Sequence, residues 1–363
     1  MGRGEQTRGV RFDCNFYGGV PMPDAGKAGP LPTDRRYGND AVVAGYENLV
    51  HWAKTMDGLD YDTMWLTEHH FQYEGYEVVP NLIQFGLWLV SQTTKLRLGQ
   101  MFNVVPQWHP LRLAEDYAMA QILSGDRMVF GVGRGTVPRE AQSLGAVVAS
   151  GDNEMSREAD RVNRELFEEA MEVIKAAWWN ETFSYTGKHF VFPPPGIPDR
   201  GATVKDLTLI PKPIAPIEIW QAVTSPETLE YAPRVRHHGV IPAGNPAVVL
   251  PRWERFGELA AGHGWELGRG GGRCLSLNCH LGETREAALR SGRDAWDEWA
   301  KFLSPYGRFK TYVPAGGGEA PFNFAPTLEE AIDNRAIACG SPAEVAEQVA
   351  FWLDEAGVEH VVL

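Results

Sequence analysis

The sequence predicts an α/β fold, a (β/α)8 TIM barrel in which eight parallel strands alternate with helices. Apolar strand-like segments alternate with helical segments along most of the 363 residues, and most of the links are short. Eight such strands are present, which is the number that closes the barrel. A doubly wound sheet needs fewer strands and a glycine-rich first turn, and the segment from Arg11 to Gly19 contains no GxGxxG pattern.

The strands are predicted from short apolar runs that end at turn residues or polar side chains. The second strand is the clearest, because Thr63 to Thr67 is apolar apart from its threonines and runs directly into charged residues. In chain order the predicted strands are Arg11 to Tyr17, Thr63 to Thr67, Leu96 to Val105, Met128 to Val132, Ile217 to Val223, Val240 to Ala243, Leu275 to Leu281 and Glu359 to Leu363.

The helices are predicted where apolar residues recur at helical spacing behind a capping residue or a proline. Asn39 or Asp40 can cap the first helix, and Gly58 ends it. The others are Asn81 to Gln92, Pro110 to Leu123, Glu165 to Trp179, Pro226 to about Arg236, Pro251 to Gly262, Thr284 to Phe302 and Ala343 to Ala356.

Two long segments interrupt this alternation within a single predicted domain, 1–363. One insertion, at about 136–215, follows the fourth strand and contains a small hairpin from Phe183 to Phe192. The other, at about 303–336, follows the helix of the seventh strand and is rich in glycine and proline. A barrel ordinarily has one more helix after its eighth strand, so the final helix is expected to be absent after Leu363, or another element covers that strand.

Composition narrows the range of partners. The formal charge of −13 argues against nucleic acid as the main partner, because phosphate backbones require clustered lysine and arginine. The four cysteines show no CxxC pair and no zinc spacing, which is typical of free thiols in a reducing compartment. Met1 to Val10 lacks the apolar core of a signal peptide, and no apolar run approaches the ~20 residues that cross a membrane. A cytoplasmic protein without a membrane segment is expected.

Three titratable residues, Glu68, His69 and His70, directly follow the second strand. The carboxyl ends of barrel strands hold ligands, so these residues form a candidate catalytic site. Adjacent side chains on an extended backbone point to opposite sides, so at most one imidazole is expected to face a pocket. In the alternative interpretations one histidine is a core residue and the other caps a helix, or both bind zinc. Because His109 is the only obvious further ligand, no metal site is predicted.

Two further strand ends carry groups that suit an anion. Arg134 stands between two glycines, which lets the backbone approach a ligand beside a guanidinium fork. After Val223 the residues Thr224, Ser225 and Thr228 begin a helix whose free amides attract anions. Each feature alone also fits an ordinary ion pair or an ordinary helix cap. Since the fourth and fifth strands are neighbours in a barrel, the two features share one rim, and a phosphate site is predicted there.

The third strand lies between these sites and contains two polar residues, Gln100 and Asn103. Their amides can hydrogen-bond a heterocycle, or they can simply cap the top layer of the barrel. The sequence leaves both interpretations open.

The chain resembles the bacterial luciferase-like flavin-dependent monooxygenase family. The resemblance covers roughly Val10 to Ala243 and returns at Ile337 to Leu363. The motifs that carry it, in order, are Trp65-Leu-Thr-Glu-His-His-Phe71, Leu98-Gly99 with Val105-Pro106, His109-Pro110, Glu115-Asp116, Gly125-Asp-Arg-Met-Val-Phe-Gly-Val-Gly-Arg-Gly135 and Thr224-Ser-Pro-Glu-Thr228. The ordered set is specific, whereas each motif alone is not.

The resemblance implies a TIM barrel that binds reduced FMN at the carboxyl ends of its strands. His69 would be the active-site histidine, with Glu68 near the flavin. The implied cofactor-binding residues are Gln100, Met101 and Phe102 beside the isoalloxazine ring and Arg134, Thr224, Ser225 and Thr228 at the phosphate. Met101-Phe102 stands where some members have a non-proline cis peptide. Gly133 stands where light-emitting luciferases carry a reactive cysteine, so light emission is not expected.

The implied activity is that of a two-component monooxygenase. Reduced FMN, supplied by a separate NAD(P)H-flavin reductase, would react with O2 to form a flavin hydroperoxide that oxygenates a small organic substrate. His69, near its unperturbed pKa of about 6.5, would exchange a proton with the reacting groups. The segments after Thr136 and Ser304 are candidate lids that exclude water.

Two alternatives differ in chemistry. A deazaflavin-dependent oxidoreductase would use the same barrel for hydride transfer without O2. A non-catalytic partner subunit of a heterodimeric monooxygenase would keep the fold only, and the presence of both His69 and Arg134 argues against it.

The helices Asn81 to Gln92 and Leu111 to Leu123 are apolar on more than one face. One face covers the barrel, and the second face requires another cover. A homodimer through these helices is therefore predicted.

Overall fold

The computed structural model describes residues 9–151, 153–309, 311–312 and 320–363. Eight parallel strands form a closed barrel, which confirms the predicted fold class. β1 pairs with both β2 and β8, and β4 pairs with β5, so the ring closes. The barrel strands are β1 Arg11–Phe16, β2 Thr63–Leu66, β3 Arg97–Gln100, β4 Met128–Gly133, β5 Ile219–Ala222, β6 His238–Pro242, β7 Arg273–Ser276 and β8 His360–Val362.

Ten α-helices accompany these strands in the part of the chain that the structure describes. They are α1 Asn39–Gly58, α2 Leu82–Gln92, α3 Pro110–Ser124, α4 Pro138–Ser143, α5 Glu154–Trp179, α6 Pro226–Arg234, α7 Pro246–Gly262, α8 Arg285–Leu303, α9 Leu328–Asp333 and α10 Pro342–Ala356. Trp352 of α10 packs with Leu275 of β7 and Val361 of β8, so α10 covers the outside of these two strands. Within the described ranges, none of the helices has the length and apolar character needed to cross a membrane.

The third predicted strand, Leu96 to Val105, is wrong as one continuous element. β3 is followed by a cis peptide bond between Met101 and Phe102, and a two-residue strand, Asn103–Val104, then resumes the pairing with β4. The cis bond lies at the position that the family resemblance implied. The interruption lies at the carboxyl end of the barrel, beside the other strand ends that the sequence singled out.

The seventh predicted strand, Leu275 to Leu281, is also wrong as one element, because the chain leaves the barrel in its middle. After β7, Asn278–Leu281 pairs with Ile337–Gly340 in a separate two-stranded parallel sheet. α8 packs against this sheet rather than against the barrel strands. The insertion between β7 and β8 therefore begins at residue 277 instead of about 303. Residues 310 and 313–319 of the predicted lid, like 1–8 of the amino-terminal segment, lie outside the described residues.

Two helices begin earlier than predicted. α5 begins at Glu154 instead of Glu165, because its polar first turns are mostly exposed and therefore show no apolar stripe. α7 begins at Pro246 instead of Pro251, which lies inside the helix. In both cases the preceding asparagine accepts a hydrogen bond from an amide of the first turn. The predicted hairpin in the first insertion is confirmed, since Tyr185–Thr186 pairs with Val191–Phe192.

Candidate active site

Large apolar side chains close the barrel beneath its carboxyl-terminal mouth. The indole nitrogen of Trp65 donates to Asp13 at 2.7 Å, which fixes the ring across the barrel. Gly99 leaves room for that ring, because a Cβ there would lie 2.3 Å from it. A ligand that enters the mouth can therefore lie on this layer but cannot pass through it. The layer consists of Trp65, Met101, Val129, Trp220, Val240, Cys274 and Val362.

The side chain of Phe102 packs against this layer. The backbone around Phe102, at the end of β3, passes closely over β4. A Cβ on Gly133 would lie 3.0 Å from the Cβ of Phe102, and a Cβ on Gly131 would lie 1.7 Å from the carbonyl oxygen of Gln100. The two glycines of β4 thus let the end of β3 cross closely above them. Part of the Phe102 side chain remains exposed.

The polar residues Gln100 and Asn103 are buried beside Phe102. The amide Nδ2 of Asn103 donates to the carbonyl of Gly131 at 3.0 Å and to Oε1 of Gln100 at 3.4 Å. These hydrogen bonds connect the end of β3 to β4. Gln100, predicted to bind the cofactor, is 1% exposed, so in this structure it supports the backbone around Phe102.

His69 lies between two buried carboxylates. Its Nδ1 lies 3.0 Å from Oε1 of Glu140, and its Nε2 contacts Oε2 of Glu77. Burial alone would lower the pKa of His69, but the charge of Glu77 and the hydrogen bond with Glu140 outweigh it and raise the pKa to about 10. The expectation that His69 titrates near 6.5 is therefore wrong, and the imidazole is protonated at neutral pH.

Glu68 and His70 form a second, separate pair. Nε2 of His70 lies 3.1 Å from Oε1 of Glu68. The carboxylate of Glu68 also accepts hydrogen bonds from the amide of Val104 at 3.0 Å and from the indole of Trp108 at 3.1 Å. Both carboxylate oxygens of Glu68 are thus occupied. The two adjacent histidines point to different partners, as the alternation of an extended backbone requires.

The residues predicted to bind a phosphate lie at the rim formed by the carboxyl ends of β4 and β5. Val132 pairs with Gln221, so Arg134 and the start of α6 follow two neighbouring strand ends. The side chains of Ser225 and Thr228 form a capping box at that start. Nη1 of Arg134 donates to Asp160 of α5 at 2.8 Å, so its guanidinium is held in place by a carboxylate.

The structure adds Arg164 of α5, which the sequence reasoning missed. Its guanidinium lies 3.7 Å from Asp160 and 3.9 Å from Glu227. Burial would raise the pKa of Glu227, but its own amide, the Ser225 hydroxyl, Arg164 and Arg134 hold that pKa below its ordinary value. The carboxylate of Glu227 is thus stabilised at this corner. The signal that could have revealed Arg164 is its spacing of four residues from Asp160. That spacing brings two side chains together only in a helix, and the predicted helix began after both residues, at Glu165.

A cavity of about 450 Å³ lies between the end of β1, α1 and α8, and Glu77 forms part of its wall. Most of its other lining is apolar or aromatic and includes Tyr76, Trp299 and Phe302. The ring centroid of Phe302 is 5.8 Å from that of His69. The size and lining of the cavity suit a small organic molecule beside the His69 cluster.

Comparison with known proteins identifies the family of this chain. The family model for luciferase-like monooxygenases matches residues 28–360, and the chain belongs to that family. A curated relative, the 4-hydroxyprotoasukamycin monooxygenase of Streptomyces nodosus, is 25% identical over 320 residues. That match covers 86% of this chain and 78% of the relative.

Two solved structures share the fold. The oxygenating constituent of 3,6-diketocamphane monooxygenase from Pseudomonas putida, in complex with FMN, superimposes with a TM-score of 0.71 at 19% identity, covering 98% of this chain and 91% of that chain. The coenzyme F420-dependent tetrahydromethanopterin reductase of Methanopyrus kandleri gives 0.63 at 17% identity, covering 98% and 92%. The same barrel thus carries both flavin and deazaflavin enzymes.

Proposed function

We propose that this chain is the oxygenase component of a two-component monooxygenase that uses reduced FMN and O2 to add one oxygen atom to a small organic substrate. One observation carries the proposal: an anion corner, an aromatic surface and a protonated histidine all lie at the carboxyl-terminal end of the barrel. Arg134, Arg164 and the start of α6 form the corner. Phe102 provides the surface, and His69 belongs to the β2 end.

The described residues fit FMN. The corner already stabilises the carboxylate of Glu227, so a phosphate would find two guanidinium groups, the hydroxyl of Ser225 and a helix amino terminus. The glycines beneath Phe102 bring the backbone close to the place where a flat ring would lie. Bound reduced FMN would supply the activation of O2.

The role proposed for His69 is to hold a proton at the edge of the substrate cavity. Its pKa of about 10 keeps the imidazole charged at neutral pH. The contact with Glu77 connects that proton to a carboxylate in the cavity wall. The pair would move a proton to or from the reacting substrate, and Glu68 would support the adjoining backbone.

A separate NAD(P)H-flavin reductase is proposed as the partner. The Pseudomonas putida relative is described as an oxygenating constituent, which supports a two-component arrangement. We also propose a cytoplasmic homodimer in which α2 and α3 supply the contact. The four cysteines are free, which suits a reducing compartment.

Binding and labelling test the proposal. Under anaerobic conditions the protein should bind reduced FMN, and admission of ¹⁸O2 with a panel of small organic substrates should place one ¹⁸O atom in a product. A protein that binds no reduced FMN, or whose products carry oxygen only from water, contradicts the proposal.

A deazaflavin-dependent oxidoreductase is the second candidate, because the Methanopyrus kandleri enzyme shares the barrel. This enzyme would transfer a hydride and need no O2. Titration with FMN and with coenzyme F420 separates the two candidates, since the two chromophores absorb differently. Tight binding of F420 with substrate oxidation or reduction in the absence of O2 would favour the second.

A further inference from the structure

The segment 134–147, here called the α4 loop, is held at both of its ends by one side chain. The loop follows β4, contains α4 and leads towards α5. Nδ2 of Asn163, on α5, donates to the carbonyl of Arg134 at 3.1 Å and also to the carbonyl of Val147. Because both carbonyls contact the same nitrogen, the two ends of the loop lie side by side.

Asn163 is a buried polar residue that α5 does not itself require. It is 2% exposed, and the buried positions that follow it on the same helix, such as Phe167 and Met171, are apolar. A buried amide costs free energy unless it is hydrogen-bonded. An apolar side chain of similar size would satisfy the helix, so the amide group of Asn163 serves the α4 loop.

The α4 loop begins with a group of the anion corner. Arg134 is its first residue, and Nη1 of Arg134 donates to Oδ1 of Asp160 at 2.8 Å and lies 3.5 Å from Oδ1 of Asn163. The backbone and the guanidinium of Arg134 are thus both held by the same part of α5. The direction of this guanidinium therefore depends on Asn163 as well as on its ion pair.

The middle of the α4 loop contains a partner of His69. Oε1 of Glu140 lies 3.0 Å from Nδ1 of His69 and also accepts a hydrogen bond from Gln72. The preceding residue of α4, Arg139, donates to Oε1 of Glu74 at 2.7 Å. Two adjacent side chains of α4 therefore hold this short helix against the segment that follows β2.

We propose that Asn163 is a positioning residue for both sites, because through the α4 loop it directs the guanidinium of Arg134 and holds Glu140 against His69. The part that concerns Arg134 rests on the proposed function, since it assigns the flavin phosphate to the anion corner. The part that concerns His69 does not, because the contact between Glu140 and the imidazole exists without a ligand.

Two substitutions remove the donor. N163L keeps the approximate size of the side chain, whereas N163S has only one proton to donate and needs no extra room. In each variant, amide hydrogen exchange of the α4 loop should rise roughly ten-fold, the scale of one or two lost hydrogen bonds. N334L is the matched control, since Asn334 is also buried and donates to the carbonyl of Glu330 at 2.8 Å, in the second insertion.

The wild type offers a test that needs no variant. The side-chain amide protons of Asn163 should exchange slowly with solvent, because both carbonyls hold that nitrogen. Fast exchange of these protons overturns the proposal, as does unchanged exchange of the α4 loop in N163L and N163S. If N163L and N334L lower thermal stability alike and N163L leaves the His69 titration unchanged, Asn163 is merely structural and the proposal is wrong.

A double substitution decides whether Asn163 acts through Glu140. E140Q should lower the midpoint of the His69 titration, because the hydrogen bond and the charge of Glu140 both raise the pKa of His69. N163L in the wild type should lower the same midpoint by about one pH unit, and in the E140Q background it should cause little further change. An equal effect of N163L in both backgrounds overturns the proposal.

Flavin binding tests the part that concerns Arg134. N163L should bind FMN about ten-fold more weakly than the wild type, whereas riboflavin, which lacks the phosphate, should bind equally to both proteins. An equal loss for the two flavins, or no loss for FMN, overturns the proposal. A wild type that binds no FMN, combined with the expected fall of the His69 titration in N163L, would contradict the proposed function alone.

Discussion

The half-buried His69 forms an ion pair with the buried Glu77, which also lines the cavity between β1, α1 and α8, with Nε2 of the imidazole against Oε2 of the carboxylate. Glu140 holds the other ring nitrogen at 3.0 Å. The histidine that the sequence placed at the centre of the chemistry therefore has no free nitrogen. Its behaviour depends on two carboxylates that the sequence motif does not include.

The first prediction concerns the pKa of His69. Because the folded-state pKa of about 10 exceeds the ordinary value of about 6.5, protonation of His69 stabilises the fold. That stabilisation is complete below about pH 6.5 and is lost as the pH rises through about 10. Glu77→Gln should lower the folded-state pKa, so the stabilisation should be smaller and its loss complete at a lower pH, as followed by NMR titration of His69 and by unfolding at several pH values.

Glu74→Gln is the matched control for this titration. Glu74 is buried like Glu77 but pairs with Arg139 instead of the imidazole. Its substitution should leave the titration of His69 in place. An unchanged His69 pKa in Glu77→Gln would show that the ion pair does not control the imidazole.

The second prediction concerns coupling of flavin oxidation to product. His69→Ala should remain folded but be less stable, because Glu77 and Glu140 lose the cation between them, and it should still bind FMN, because the phosphate is held elsewhere. Substrate oxygenation should fall by roughly 100-fold, the usual scale for a lost acid–base group. Reduced flavin should still be consumed by O2, now with release of hydrogen peroxide. Product formed per flavin oxidised is the quantity to measure.

His70→Ala provides the comparison. It removes a hydrogen bond to buried Glu68 and should cost about 1 kcal/mol of stability. Coupling should stay near that of the wild type. If His69→Ala stays coupled while His70→Ala loses product with its fold intact, the wrong imidazole has been assigned.

The third prediction concerns the anion corner. Arg134→Ala and Arg164→Ala should each weaken FMN binding by about 2 kcal/mol, since each removes a charge-assisted contact. Riboflavin, which lacks the phosphate, should bind equally to both variants and the wild type. Arg161→Ala is the control, because Arg161 lies on α5 like Arg164 but pairs with Glu158 and Glu165. Equal losses for FMN and riboflavin would place the phosphate elsewhere.

The fourth prediction concerns assembly. Trp88 of α2 and Met119, Ile122 and Leu123 of α3 are exposed, and Leu123 is 65% exposed. If these side chains form a dimer contact, Leu123→Glu should give a monomer by light scattering at micromolar concentration. Leu281→Glu, on the sheet outside the barrel, should leave the dimer intact. A wild type that is already monomeric contradicts the assignment.

The fifth prediction concerns the crossing of β3 over β4. Gly131→Ala would place a methyl group 1.7 Å from the carbonyl oxygen of Gln100, so backbone has to move. The free energy of unfolding should fall by about 3 kcal/mol, the upper part of the usual range for overpacking. Gly262→Ala, with open space around its Cβ, should change stability by less than about 1 kcal/mol. Chemical denaturation measures both.

The barrel was predictable from sequence because apolar segments and caps are local signals. Thr63–Leu66 is buried along its whole length, and the turn chemistry around it marks its ends. The split of the seventh strand was not predictable, since Leu277 is as apolar and buried as a barrel residue. Only tertiary pairing with Ile337–Gly340 shows that the chain has left the barrel.

For the candidate site, the sequence predicts which residues lie at the carboxyl end of the barrel but not the partners that they contact. His69 and Arg134 follow strand ends, and topology alone brings such residues to one face. Glu140 is 71 residues from His69 in sequence, and its position depends on the path of the chain into α4. The pKa of His69 could therefore not be predicted from the local sequence, because it is set by partners that only the folded chain brings together.

The small sheet of Asn278–Leu281 and Ile337–Gly340 makes the second insertion a module. Its two strands pair with each other and leave and re-enter the barrel at β7 and β8, which are themselves neighbours. α8 also ties the insertion to the loop after β1, because Glu298 pairs with Arg35 and Lys301 donates to the carbonyl of Gly26. Exchange of the insertion between relatives would therefore have to include that loop, whereas the Arg134 corner, on the far side of the ring, would stay unaltered.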